Sequence, residues 1–175
     1  VSRASGLRTS RRVSHVFLMD VPGYPHPVMI TDAVVNISPT LEDKAHIIQN
    51  AIDLAHIIGI PQPKVAILSA IETINPKIQS TLDAAALCKM ADRGQITGGL
   101  LDGPLAFDNA VSLMAAKTKG ITSNVAGRAD ILVTPDLVSG NMLAKQLEYM
   151  ANALAAAIVI GAKVPIVLTS RADTA

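Results

Sequence analysis

The residues best suited to chemistry in this 175-residue chain are a hydroxyl and a guanidinium that follow its last apolar run. Ser170 and Arg171 come directly after residues 164–169 (VPIVLT), a run typical of a buried β-strand. Ligands of α/β proteins bind at the carboxyl ends of such strands, and arginine offers paired N–H donors that match a phosphate. We interpret the pair as a candidate anion site. The alternative is a surface arginine beside a serine that merely ends the strand.

Two further pairs of polar residues could line a ligand site. Asp102 lies in an Asp-Gly-Pro turn predicted at a strand end, and Asp108 lies near the start of a predicted helix. Asn141 and Lys145 are four residues apart, so they share one helix face. Each pair also has an ordinary interpretation, as turn and cap residues or as a solvated helix surface. The spacing alone leaves both interpretations open.

The stretch 125–145 (VAGRADILVTPDLVSGNMLAK) joins a glycine turn, a short apolar run and a new helix start at Ser139-Gly140-Asn141. The free N–H groups and the helix dipole at such a start both favour an anion. This stretch therefore predicts an anion-binding corner that carries Asn141 and Lys145.

Other chemistries find no support in the sequence. The phosphate-loop, dinucleotide, zinc-protease and serine-hydrolase motifs are all absent, and the four histidines are not at metal-ligand spacing. Cys88 lies among Ala and Leu in a predicted helix, which favours a buried structural thiol over a nucleophile. We therefore expect no metal site and no tightly bound cofactor. A single cysteine cannot form an internal disulfide, and it fits a reducing cytoplasm.

The composition also limits the class of partner. The chain is 50% hydrophobic and 17% charged, with a net charge of +1, no Trp, two Phe and two Tyr. It lacks the basic surface and the aromatic side chains of a nucleic-acid-binding protein. No window approaches the roughly 20 apolar residues of a membrane span. We expect a core of Ala, Ile, Leu and Val, with neither nucleic acid nor membrane as a partner.

The elements that must position the polar residues follow from the hydrophobic pattern. Residues 1–12 read as an arm or loop, and residues 13–19 and 28–35 as an antiparallel hairpin. After Pro61, strands and helices alternate, which predicts an α/β fold: a three-layer α/β/α sandwich with a mostly parallel sheet. The further strands are predicted at 64–69, 96–101, 131–133, 158–160 and 164–169.

The helices are predicted from their caps and their apolar period. Thr40 begins the first with Asp43 as a capping box, and Ser80 begins the second with Asp83 at the same spacing. Two more are predicted at 107–117 and 141–157. The strand ends where ligands are expected are 69–72, 102–104, 134–136 and 169–171.

Four runs of this chain resemble one enzyme family in order and spacing. They are 30–55 (ITDAVVNISPTLEDKAHIIQNAIDLA), 103–121 (GPLAFDNAVSLMAAKTKGI), 125–151 (VAGRADILVTPDLVSGNMLAKQLEYMA) and 164–173 (VPIVLTSRAD). The family is the phosphate acetyl-/butyryltransferases, or phosphotransacylases. The resemblance implies two α/β domains of the isocitrate/isopropylmalate dehydrogenase-like kind, with the active site between them. Residues 13–157 would be the second domain, and 158–175 a return segment toward a first domain that is incomplete here.

The resemblance also implies a reaction: acyl-CoA and phosphate give acyl phosphate and CoA, for an acetyl or butyryl group, by direct attack of phosphate on the thioester in a ternary complex. Arg171 would bind phosphate or the acyl carbonyl, and Ser170 would hydrogen-bond the departing thiolate or the tetrahedral centre. Asp102, Asp108, Asn141 and Lys145 would form a wall of the cleft and help to bind phosphate or CoA. The general base is an aspartate expected beyond Ala175, so we expect this segment alone to be inactive. The resemblance further implies a homodimer, with CoA a substrate or product.

Two other functions stay open at this point. An NAD-dependent decarboxylating dehydrogenase on the related fold would need an aspartate cluster for Mg²⁺ and an arginine triad, neither of which the sequence contains. A non-catalytic dimerisation or regulatory domain would need only the Ala- and Ile-rich helices.

Overall fold

A six-stranded mixed β-sheet organises the chain in a computed structural model that describes residues 6–167. The strands are β1 (Ser14–Asp20), β2 (Val28–Thr31), β3 (Lys64–Leu68), β4 (Leu100–Leu105), β5 (Ile131–Val133) and β6 (Leu154–Ile160). Their order across the sheet is β4-β3-β5-β2-β1-β6. The strands from β4 to β2 are parallel, whereas β1 is antiparallel to both β2 and β6. This confirms the α/β class and the predicted β1–β2 hairpin.

Helices cover both faces of the sheet. They are α1 (Leu41–Ile57), α2 (Gln79–Asp92), α3 (Phe107–Val111), α4 (Leu113–Thr118) and α5 (Leu137–Met150). Val65 and Ile67 of β3 pack in one buried cluster with α1 and α2, while Ala66 and Leu68 pack in a second cluster with the other three helices. Successive residues of a strand point to opposite faces, so one apolar strand supplies both cores.

The start of α1 is the predicted one. The Thr40 hydroxyl accepts a hydrogen bond from the Asp43 backbone N–H at 3.2 Å, and the Asp43 carboxylate accepts one from the Thr40 N–H at 3.1 Å. This capping box satisfies two N–H groups that the helix cannot pair internally. Local sequence is sufficient here because both partners lie within one turn.

The predicted start of α2 was wrong. The helix begins at Gln79, and its N-cap residue, Ile78, has no side-chain hydrogen bond. Thr81 secures this turn instead, because its hydroxyl accepts a hydrogen bond from the Asn75 N–H at 2.9 Å. The two residues predicted as the cap pair, Ser80 and Asp83, bond to side chains of other elements.

The predicted strand 96–101 and the strand-end turn 102–104 were also wrong. The strand β4 runs from Leu100 through Asp102 to Leu105. Gly103 makes this possible, since a Cβ there would lie 2.9 Å from the carbonyl oxygen of Ile67 on the neighbouring strand. The helix predicted at 107–117 is divided into α3 and α4, with the Ser112 hydroxyl capping α4 through the Ala115 N–H.

The last helix of the structure, α5, begins and ends earlier than the predicted helix 141–157. Helix α5 begins a turn earlier than Asn141, because Asp136 caps it through the Ser139 N–H at 2.8 Å. It ends at Met150, and a left-handed Asn152 (φ 54°) turns the chain into β6. The alanines predicted as helix therefore lie in β6, where pairing with β1 outweighs their helical preference.

Three more predictions concern the ends of elements. The strand predicted at 28–35 ends at Thr31. Of the predicted strand 164–169, the described part contains an isolated bridge from Ile166 to Val159, and residues 168 and 169 lie outside the described range. Strand β6 crosses the predicted domain boundary at residue 158. The division into a second domain and a return segment stays a prediction.

Candidate active site

A cleft of about 450 Å³ lies at the carboxyl ends of β3 and β5. These strands are parallel neighbours, so residues that follow them meet at one edge of the sheet. The lining comes from both strand ends, from the first turns of α2 and α3 and from the first two turns of α5: Leu68, Ser69, Ala70, Ser80, Phe107, Thr134, Pro135, Asp136, Ser139 and Leu143. Two of the four predicted strand ends, 69–72 and 134–136, therefore contribute to one cleft.

Two of the hydroxyls that line this cleft form a pair. The Oγ atoms of Ser69, after β3, and Ser80, in the first turn of α2, are 2.7 Å apart. Both side chains are half-buried, and each hydroxyl keeps further capacity to donate or accept. The pair can therefore turn one O–H group toward a ligand oxygen in the cleft.

The two longer helices that begin at the cleft, α2 and α5, differ in the charge at their N-termini. Helix α5 is capped by the Asp136 carboxylate, which occupies the Ser139 N–H and brings a negative charge. Helix α2 has no side-chain cap and no acidic residue in its first turn. Because the positive end of α2 is uncompensated, the α2 side of the cleft favours an anion more than the α5 side does.

The loop after β2 holds the α5 side of the cleft in place. The buried Asp32 carboxylate accepts hydrogen bonds from three successive backbone N–H groups, those of Val34, Val35 and Asn36, at 2.9, 3.0 and 3.2 Å. The Thr134 backbone N–H donates to the Thr31 carbonyl at 2.8 Å. The ends of β2 and β5 are thereby joined just below the first turn of α5.

Gly140 lets α5 pack against this joint. A Cβ at residue 140 would lie 2.6 Å from the Thr134 Oγ1 atom and 2.9 Å from the Asp32 carbonyl oxygen. We expect Gly140→Ala to lower the free energy of unfolding by about 1–3 kcal/mol, as measured by urea unfolding, since backbone cannot yield easily. Val138→Ala, at a position 59% exposed in the same turn, is the control and should change it by less than about 0.5 kcal/mol. A gain in stability, as the helix propensity of alanine alone would give, would contradict the proposed contact.

The predicted site residues lie in different places. Ser170 and Arg171 are outside the described residues. Asp102 lies within β4, where its carboxylate accepts a hydrogen bond from the Gly103 N–H at 2.8 Å, and it does not line the cleft. Asn141 donates to the Ala33 carbonyl at 3.3 Å, beside the loop after β2. Lys145 pairs with Glu148 of its own helix at 2.9 Å.

Asp108 follows Phe107 at the cleft and belongs to an ionic cluster. The Lys119 ammonium lies 3.1 Å from the Asp108 carboxylate and 3.3 Å from that of Glu72. The hydrogen bond from Lys119 lowers the pKa of Asp108. Asn109, which is fully buried, donates to Glu72 at 3.1 Å. The cluster joins the segment after β3 to α3 and α4.

Comparison with known proteins identifies the family. Residues 4–175 match the family described as Phosphate acetyl/butaryl transferase. The chain belongs to this family. It is 65% identical over 171 residues to a phosphate acetyltransferase of Rhizobium meliloti, covering 98% of this chain and 54% of that protein. It is 50% identical over 175 residues to a probable phosphate butyryltransferase of Bacillus subtilis, covering 100% of this chain and 58% of that protein.

The fold agrees with this membership. The crystal structure of a branched-chain phosphotransacylase from Enterococcus faecalis superimposes with a TM-score of 0.92 at 34% identity, covering 99% of this chain and 62% of that one. The chain thus spans about half the length of the curated relatives that it matches. Membership supports the transferase over the dehydrogenase that the sequence left open.

Several residues at this family member's cleft were not among the predicted site residues. Ser80 was interpreted as a helix cap, and Phe107 carried no predicted role. Ser69 lies in the strand end 69–72, where the sequence predicted ligand binding, but it was given no role of its own, although it shows the same pattern of a hydroxyl at the end of a buried strand that singled out Ser170. No pattern within the sequence indicates that Ser69 and Ser80 face each other, since they lie on different elements.

Cys88 has the properties of a structural thiol. Burial, followed by the nearby Asp102 charge, raises its pKa to about 12. The thiolate is the reactive form, so a thiol with this pKa is a poor nucleophile at neutral pH. Within residues 6–167, no group of three His, Cys, Asp or Glu side chains is placed to hold a metal ion, and no helix has the length and apolarity to cross a membrane.

We expect His15 to make the fold sensitive to acid. It is 1% exposed, its Nδ1 atom has no hydrogen-bond partner among residues 6–167, and burial lowers its pKa despite the opposing influence of Asp32. Between the ordinary value near 6.5 and this lower pKa, the unfolded chain binds the proton more tightly. The free energy of unfolding should therefore fall as the pH falls below about 6.5.

His15→Leu should remove this component. We expect urea unfolding between pH 7.5 and 5.5 to show a smaller pH dependence for His15→Leu than for the unmodified protein. The core variant Val16→Ala is the control, because it should lower stability by the same amount throughout this range. Equal slopes for His15→Leu and the unmodified protein would show that His15 does not contribute.

Proposed function

We propose that this chain supplies part of the active site of a phosphate acyltransferase, which converts acyl-CoA and phosphate to acyl phosphate and CoA. The observation that carries the proposal is the cleft at the carboxyl edge of the sheet, with its serine hydroxyl pair and the uncapped start of α2, in a member of this family. The cleft favours an anion and has an apolar side chain, Phe107, beside it. It therefore fits a substrate that has both an anionic part and an apolar part.

The chemistry requires few groups. A phosphate oxygen attacks the thioester carbonyl carbon, the carbon–sulfur bond of the tetrahedral intermediate breaks, and the CoA thiolate leaves. Fixed donors must hold the negative charge that develops on the carbonyl oxygen. We assign phosphate or carbonyl binding to Arg171 and stabilisation of the thiolate or tetrahedral centre to Ser170, both on the resemblance of residues 164–173. The hydroxyls of Ser69 and Ser80 are placed to orient the anion.

The roles of the other predicted residues follow from their positions. Asp108, which follows Phe107 in the sequence, and its partner Lys119 are proposed to position substrate at the cleft rim. Asn141 and Lys145 are proposed to help bind phosphate or CoA from positions further along α5. Asp102 is proposed to do the same from β4. A homodimer and a cytoplasmic location remain predictions of the same proposal.

A chimaera provides the test. In it, this chain replaces the matching 54% of the R. meliloti phosphate acetyltransferase. Acetyl-CoA or butyryl-CoA is mixed with phosphate, CoA release is followed with a thiol reagent, and the acyl phosphate is trapped with hydroxylamine. We expect thiol release that depends on phosphate and matches the trapped product.

The result that would overturn the proposal is a folded chimaera, judged by circular dichroism, with no release above background or with release that is independent of phosphate. The dimerisation or regulatory alternative would then be favoured. The relative rates with acetyl-CoA and butyryl-CoA also identify the preferred acyl group. The comparisons leave this choice open, because both a phosphate acetyltransferase and a probable phosphate butyryltransferase are similar to this chain.

A further inference from the structure

A second cavity, of about 260 Å³, lies against the face of the sheet between α3 and α5. Its lining is almost entirely apolar: Val21, Pro22, Gly23, Tyr24, Val28, Phe107, Val111, Leu132 and Leu147. Tyr24 is the one polar side chain among these, and its hydroxyl already donates to the Ala129 carbonyl at 2.9 Å. The cavity therefore offers no free polar side chain and is suited to a hydrocarbon group.

This cavity continues the active-site cleft along one groove. Phe107 lines both of them. On α5, Leu143 lines the cleft and Leu147, one turn later, lines the apolar cavity. On α3, Val111 lies one turn after Phe107 and lines the apolar cavity only. The two volumes thus follow each other between the two helices, and the Phe107 ring stands at their junction.

We propose that Phe107 sets the longest acyl chain that the enzyme accepts, by separating the cleft that carries the serine hydroxyls from the apolar cavity behind it. The inference rests on the proposed transferase function. A thioester held at the cleft would direct a short alkyl chain toward the ring, and a longer chain would need the space beyond it. Phe107 is 40% exposed, so the ring is not part of the closely packed core and can be made smaller without leaving an enclosed void.

The experiment compares acyl-chain profiles in the chimaera with the R. meliloti enzyme. We would measure kcat/KM for acetyl-, butyryl-, hexanoyl- and octanoyl-CoA with the unmodified sequence, Phe107→Leu and Phe107→Ala. The ratio of hexanoyl-CoA to acetyl-CoA should rise about 16-fold in Phe107→Ala if two of the four extra methylenes enter the apolar cavity, since each contributes roughly 4-fold. Phe107→Leu should lie between the two. Leu113→Ala, at a position also 40% exposed but lining neither volume, should leave the ratio unchanged.

A second substitution distinguishes opening of the groove from general loosening of the site. Val111→Phe in the Phe107→Ala background refills the apolar cavity and should return the ratio toward that of the unmodified sequence. An active chimaera whose chain-length profile is the same with phenylalanine, leucine and alanine at residue 107 would overturn the proposal while leaving the transferase intact. A chimaera that transfers no acyl group would overturn the transferase, and the proposal with it.

Discussion

Alanine in place of Arg171 is expected to lower kcat/KM for phosphate by about 100- to 1000-fold in the active chimaera, the range seen when one fixed donor to a developing charge is removed. The reason is chemical. Phosphate carries most of its charge on oxygens that a guanidinium contacts in pairs, and no other residue in the run 164–173 (VPIVLTSRAD) can supply this geometry. The measurement is phosphate-dependent CoA release at varied phosphate concentration.

Charge and geometry can be separated at this position. Arg171→Lys keeps the positive charge but loses the paired donors, so we expect activity between that of arginine and alanine. Arg93→Ala, an exposed arginine at the end of α2, is the matched control and should leave the rate unchanged. If Arg171→Ala kept more than a tenth of the activity, the assignment of phosphate or carbonyl binding to this residue would be wrong.

The second large effect concerns stability. Lys44 of α1 and Asp83 of α2 form an ion pair of 2.6 Å, with side chains only 8% and 14% exposed. Removing one partner leaves a buried charge without its counter-ion. We therefore expect Lys44→Ala to lower the free energy of unfolding by about 3 kcal/mol in urea unfolding. The Gln79 amide donates to Asp83 at 2.8 Å and would compensate only in part.

Replacing both Lys44 and Asp83 should lower the free energy of unfolding far less than replacing Lys44 alone. The double variant Lys44→Met, Asp83→Leu removes both charges and fills their space, and we expect it to lie within about 1 kcal/mol of the unmodified protein. The exposed pair of Lys89 and Asp92, which is 2.7 Å apart and has both side chains more than 60% exposed, is the control. A loss in the double variant equal to that of Lys44→Ala would mean that packing, and not the unpaired charge, is responsible.

The ion pair of Lys44 and Asp83 also shows why the predicted cap of α2 was wrong. The spacing of Ser80 and Asp83 matches a capping box, and so does the spacing of Thr40 and Asp43. Only Thr40 and Asp43 form one in the structure. In α2, both side chains have better partners on other elements. A local motif is reliable only where no distant partner competes for its atoms, and the sequence does not contain that information.

The strand 131–133 and the antiparallel hairpin of β1 and β2 were predicted because an apolar run bounded by turn residues is a local property. The alternation of strands and helices after Pro61 predicted the parallel part of the sheet for the same reason. The four family-like runs predicted membership directly. Element ends were predicted less well, since Gly103 in β4 and the alanines of β6 are placed by neighbouring strands.

The sequence by itself determined the α/β class, the capping of α1, the apolar strands and the family, because each is written in residues that are close along the chain or in motifs of fixed order. Only the tertiary structure decided that Ser69, Ser80 and Thr134 line one cleft, that the Asp136 carboxylate occupies the start of α5, and that Phe107 stands between two cavities. These depend on which strands become neighbours, and strand order is set by the packing of both faces of the sheet at once.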